Sequence, residues 1–174
     1  AETNLNMKRI NKAYILDLIL NLEEKANSPG RRQDLYTLKL AHVWFNVSYY
    51  GNSWMLAHYY KSCDPENEIS GVGFSSLNSV VQCDSANYIY LNKARELYEK
   101  VVSESDDKEL KIEALVMLQY TDYLIHYSKY RYDWDNEHPY APKYTGNFWK
   151  EYEETDFYHM MYITCPRFEA YVDM

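Results

Sequence analysis

Eight aromatic side chains fall within the 23 residues from Tyr127 to Trp149, and their chemistry most readily implies a ligand. Flat rings on a loop can stack against sugar faces or grip an apolar peptide side chain. Pro139 and Pro142 keep the segment out of continuous helix. Tyr130, Tyr132, Trp134 and Tyr140 are therefore the candidate ligand-binding residues. The competing account makes the same residues a tyrosine-rich flap packed over the end of a helical stack.

Signals for catalysis or metal binding are weaker. His42 and His58 fall on separate predicted helices, and the sequence contains neither H-x-x-x-H nor H-E-x-x-H. Asp133-x-Asp135-x-Glu137 has the spacing that opens an EF-hand loop. His138, however, stands where that loop needs glycine, and Tyr144 where it needs a bidentate glutamate. Gly71-x-Gly73 lacks the third glycine of a dinucleotide fingerprint, and there is no G-x-S-x-G. Glu151, Glu153, Glu154 and Asp156 are close in sequence, but neighbours two apart do not share a helix face, so they read as a solvated face. Catalytic residues, metal ligands and cofactors are accordingly none, and the chain is read as a non-enzyme.

Composition narrows the partners. The 174 residues are 47% hydrophobic and 25% charged, enough to bury a sizeable core. A net charge of -8 with no basic stripe argues against nucleic acid and against acidic membrane surfaces. The longest apolar run, Ile15 to Leu22, is broken by Asp17 and Asn21 and is too short to span a bilayer. Five Gly and five Pro are too few for a many-stranded sandwich, whereas 20 Tyr are an unusual supply of amphipathic packing groups. Cys63, Cys83 and Cys165 leave two readings open: a Cys63–Cys83 disulfide across a long loop, or three thiols packed as small hydrophobes. Ala1-Glu2-Thr3 opens the chain without initiator Met or signal peptide, and reads as part of a longer protein.

The elements that must position these groups are helices. Ile10, Ala13, Tyr14 and Leu18 recur at helical spacing in a first helix that Asn27-Ser28-Pro29-Gly30 stops. Leu35, Leu38, Ala41, His42 and Phe45 mark a second, and Gly51-Asn52 breaks the chain before a short helix from Ser53 to Tyr60. Residues 7–60 thus form a first hairpin plus a short helix, and 61–83 a loop with at most one helical turn. Residues 84–127 form a central hairpin with Tyr90, Ala94, Leu97, Tyr98 and Val101 facing inward. Asp84 or Ser85 caps its first helix, and a capping box Asp106-x-x-Glu109 starts its second. Residues 128–146 are the aromatic loop and 147–174 the C-terminal helices, where Thr155 caps a final helix and Trp149 is core. The whole, 1–174, is read as one domain.

The central hairpin resembles a degenerate tetratricopeptide repeat. Ala94-x-x-x-Tyr98-x-x-Val101 follows that family's second-helix pattern, and Glu113-Ala114-Leu115-x-x-Leu118 resembles the start of a following first helix. Gln119 departs from the pattern, standing where a small residue is usual, and Leu40-Ala41-x-x-Trp44 gives a weaker echo. The chain is also similar to the C-terminal region of large uncharacterised bacterial cell-envelope proteins, through Tyr49-Tyr50-Gly51-Asn52-Ser53-Trp54, the Ala94 to Leu118 repeat and Thr155-x-Phe157-Tyr158 through Tyr171. The resemblance implies an all-α fold of antiparallel hairpins stacked as a tetratricopeptide-like superhelix, and a periplasmic or cell-surface location. The expected function is a non-enzymatic module binding a protein or peptide segment. Glycan binding through residues 127–149 is the alternative, and an enzyme with an unrecognised site the third.

Overall fold

The computed structural model describes residues 12–48, 50–53, 77–130 and 137–174, with side chains from residue 13 and, in the long third helix, from residue 89. Among the described residues there are helices and no strand. They are α1 (Lys12–Asn27), α2 (Gln33–Val47), α3 (Leu77–Glu104), α4 (Lys108–Tyr130), a 3-10 helix (Gly146–Tyr152), α5 (Asp156–Thr164) and α6 (Pro166–Asp173).

Cross-helix contacts set the directions. Asp34 meets Ser105, His42 meets Tyr98 and Trp44 stacks on Tyr90, so α2 and α3 run antiparallel. His42 to Glu113, Phe45 to Tyr120 and Tyr50 to Ser128 then make α2 and α4 parallel. The resulting order is up, down and up, with α1 packed on the far side of α2 through Ile19, Leu22, Ala26 and Leu40.

The core follows α4. Its Ala114, Leu118 and Leu124 join Leu38, Ala41, Phe45, Leu91, Ala94, Tyr98 and Val101 in one buried cluster. Its Ile112 and Leu115 instead join Trp149, Tyr152, Tyr158 and Phe168 of the C-terminal helices. Apolar residues on more than one side of α4 are thus explained by neighbours on more than one side. Among the described side chains of α3 the fully buried apolar ones are Leu91, Ala94, Tyr98 and Val101, while Tyr90 is half-buried against Trp44. Ala94 and Ala114 are both completely buried.

Some boundaries differ from those expected. Helix α3 begins at Leu77, so 77–83 is helical rather than loop, and Asp84 and Ser85 lie inside the helix. No Gly or Pro follows Gly73 in this stretch, and an established helix extends wherever nothing in the backbone stops it. Helix α4 runs to Tyr130, so 128–130 belongs to the helix. The short helix expected at 54–60, the rest of the long loop, and Cys63 lie outside the described residues, as does the side chain of Cys83. Cys165 is an unpaired, half-buried thiol.

The turn after α2 depends on Gly51. A Cβ there would lie 2.3 Å from Asn46 Cα, because the chain folds back to donate Ser53 N–H to the Asn46 carbonyl at 2.9 Å.

The cap of α4 is Asp107, one residue later than expected. Its carboxylate accepts the backbone N–H groups of Glu109 at 2.9 Å and Leu110 at 3.4 Å. The Glu109 carboxylate turns away to α5, accepting the N–H groups of Asp156 at 2.7 Å and Phe157 at 3.1 Å. Tertiary packing thus uses the glutamate that a capping box would have kept local. Thr155 caps α5 as expected, its side chain accepting from Tyr158 N–H at 3.2 Å. Asp107→Ala should therefore lose about 1 kcal/mol of stability in urea denaturation. Asp106→Ala should lose about 0.5 kcal/mol or less. A larger loss at Asp106 would return the cap to that residue.

Candidate functional site

The extended segment 137–145 runs back along α4 as a strap. Pro139 and Pro142 deny it helical hydrogen bonds, so its backbone must find partners elsewhere. Gln119, 1% exposed, supplies them from α4. Its side-chain carbonyl accepts Tyr144 N–H at 2.7 Å, and its amide donates to the Tyr144 carbonyl at 3.1 Å. Trp149 Nε1–H donates to that same carbonyl at 3.1 Å. Tyr140 donates its hydroxyl to the Gln119 backbone carbonyl at 3.1 Å, and His126 Nε2 reaches the His138 carbonyl at 2.7 Å. Burial, with the negative charge of Asp122 adding to it, pushes the Tyr140 phenol well above its ordinary pKa, which keeps it a donor.

Beside the strap lies a tyrosine ladder. Tyr120, Tyr123 and Tyr127 follow one another at spacings of three and four on α4, which puts them on one helix face. Successive ring centroids are 6.3 Å apart and the planes are within 20° of parallel, at 10° and 19°. Tyr140 meets Tyr123 edge-on at 5.5 Å. From α6, the Arg167 guanidinium lies 4.2 Å from the Tyr123 centroid and 5.5 Å from that of Tyr120. Tyr171, one turn further along α6, adds a fifth phenol. Its pKa is raised by burial and, more weakly, by Tyr123 and Tyr120, against the opposing pull of Arg167. Tyr127 is 47% exposed and Arg167 is exposed, while Tyr120, Tyr123, Tyr140 and Tyr171 are half-buried. Three separate elements therefore converge on one aromatic patch beside the Arg167 guanidinium.

Of the four candidates read from the sequence, Tyr130 and Tyr140 come together around His126. Tyr130 stacks on His138 at 4.0 Å and lies 4.8 Å from His126, while Tyr140 is 5.6 Å from His126. Tyr132 and Trp134 lie outside the described residues. Tyr120, Tyr123, Arg167 and Tyr171 are not among the site candidates that the sequence offers. The spacing of Tyr120, Tyr123 and Tyr127 was a usable signal, but nothing local announced that α6 would bring Arg167 over those rings.

A second polar constellation joins α2, α3 and α4. The Tyr98 hydroxyl is 2.9 Å from His42 Nδ1, and His42 Nε2 is 2.9 Å from the Glu113 carboxylate. A carboxylate only accepts, so in the neutral ring Nε2 carries the proton and Nδ1 accepts from Tyr98. Burial, then the charge of Glu113, raises the Tyr98 pKa far above its ordinary value and holds the phenol protonated. The triad ties α2, α3 and α4 together through these two side-chain hydrogen bonds. Arg95 similarly joins α3 to α4, 2.8 Å from Asp122 and 3.1 Å from Glu99.

Among the described residues, concave space is present at the end of the bundle. A cleft of about 550 Å³ opens between the α1–α2 turn and the α3–α4 turn, lined by Arg31, Arg32, Asp34, Lys100, Glu104 and Asp107 among others. Among the described residues no group of three His, Cys, Asp or Glu is placed to hold a metal ion, and no helix is long and apolar enough to cross a membrane. Compared with known proteins, the chain matches no family model, no curated protein and no solved structure.

Proposed function

We propose that the chain is a non-enzymatic interaction module whose helices present the Tyr120–Tyr123–Tyr127 face to a protein or peptide segment. The observation that carries this reading is the patch itself: five tyrosines and Arg167, assembled from α4, the strap and α6 and left partly open. Tyrosine and arginine are the residue types that dominate binding hot spots, since each offers a large rigid contact with a polar end. The scaffold is of tetratricopeptide-like kind in this reading. Supporting it, Ala94, Tyr98, Val101, Ala114 and Leu118 all sit buried between packed helices. Tyr130 and Tyr140 extend the same surface toward the end of α4.

Selection from a random dodecapeptide display library tests the proposal. Tyr123→Ala is expected to weaken the recovered peptides about tenfold or more, because Tyr123 touches Tyr120, Tyr127, Tyr140 and Arg167 together. Recovery of peptides indifferent to Tyr123 would place binding elsewhere. Binding on a glycan array with no peptide recovered would replace this reading by the glycan one.

A further inference from the structure

We infer that the segment bound on the tyrosine face carries an internal aspartate or glutamate whose carboxylate pairs with Arg167. This rests on the proposed function above and specifies its partner. The guanidinium carbon lies 4.2 Å from the Tyr123 centroid and 5.5 Å from that of Tyr120, a cation–π contact that uses none of its N–H groups as hydrogen-bond donors. No hydrogen bond of Arg167 occurs among the described residues, so its N–H groups are available for a planar acceptor. Among the described residues no carboxylate lies within ion-pairing distance of Arg167, whereas Arg95 is matched by both Glu99 and Asp122. Tyr120, Tyr123, Tyr127 and Tyr171 make no hydrogen bond through their hydroxyls among the described residues, so the patch presents further donors around that cation.

The chemistry also discriminates among acceptors. A terminal carboxylate is captured by free backbone N–H groups in a nest. Around Arg167 the backbone donors are spent, those of α4 within the helix and those of Phe168 and Glu169 on the Cys165 carbonyl at 2.9 and 3.1 Å. A phosphorylated residue calls for several cations together, and among the described residues Arg167 is the guanidinium that faces the ladder. A single side-chain carboxylate, flanked by apolar or aromatic residues that lie on the rings, fits what is present. The protein's net charge of -8 opposes an acidic partner at long range. Screening confines that opposition to about 10 Å at ordinary ionic strength, and contact geometry decides at Arg167.

The test uses dodecapeptides selected on the full chain and synthesised with capped ends. The expected result is a recovered consensus containing Asp or Glu beside aromatic or leucine residues. Changing that acid to its amide should weaken binding about tenfold or more. Arg167→Leu should cause the same loss with an unchanged melting temperature, and the amide peptide should then lose nothing further on this variant. Arg167→Lys should recover only part of the affinity, since a point charge lacks the planar fork. Peptides that need Tyr123 but are indifferent to Arg167 and carry no acid would overturn this inference while leaving the interaction module intact. Failure to recover any Tyr123-dependent peptide would overturn both.

Discussion

Trp149→Ala is expected to lower stability by roughly 3–5 kcal/mol, enough to unfold a marginal domain. The indole is completely buried and meets Phe168 at 4.9 Å and Phe148 at 5.3 Å between ring centroids. It belongs to the cluster that fastens the C-terminal helices to Ile112 and Leu115 of α4. The loss is mainly a cavity, because Gln119 still donates to the Tyr144 carbonyl that Trp149 also serves. Trp149→Phe should therefore keep most of the stability. Urea denaturation with an unchanged slope measures the difference. A loss under about 1 kcal/mol in the alanine variant would mean the C-terminal helices contribute little to the cooperative unit.

The second large effect is at Tyr98. Tyr98→Ala should cost about 3–5 kcal/mol by emptying the centre of the α2–α3–α4 cluster, where the ring is completely buried. Tyr98→Phe keeps the ring and removes only the hydrogen bond to His42. Its cost should be about 1 kcal/mol, because the His42 side chain is 28% exposed and water can reach the abandoned nitrogen. A phenylalanine variant as damaging as the alanine one would mean that the polar triad, rather than packing, holds the three helices. Combining Tyr98→Phe with His42→Ala completes a cycle that isolates the pair's coupling.

The two positions illustrate different degrees of legibility. Tyr98 was readable because A-x-x-x-Y-x-x-V puts a small residue, a ring and an aliphatic on one helical stripe, and helical periodicity depends on local geometry alone. Trp149 was readable as core from its place at the start of the returning helix. Gln119 read as an interruption of the repeat pattern, yet buried against the strap it is the residue whose amide meets both backbone groups of Tyr144. A glutamine's two-sided hydrogen bonding has meaning only once a second segment lies beside it. Glu109 changed meaning in the same way, from a local cap to the acceptor for α5.

What the sequence determined by itself is the all-helical class, the stop of α1 near Asn27 and the Thr155 cap of α5, and the small-and-large pattern that buries Ala94, Tyr98 and Val101. These depend on propensity, periodicity and chain punctuation, all of which act within a few residues. What only the tertiary structure decided is the convergence of distant groups: His42 with Tyr98 and Glu113, Gln119 with Tyr144, and Arg167 with Tyr120 and Tyr123. Such contacts join residues 25 to 71 positions apart, beyond the reach of any local pattern. They form because helices α2, α3, α4 and α6 can bury their apolar faces together in this order, which brings their polar and aromatic edges into contact.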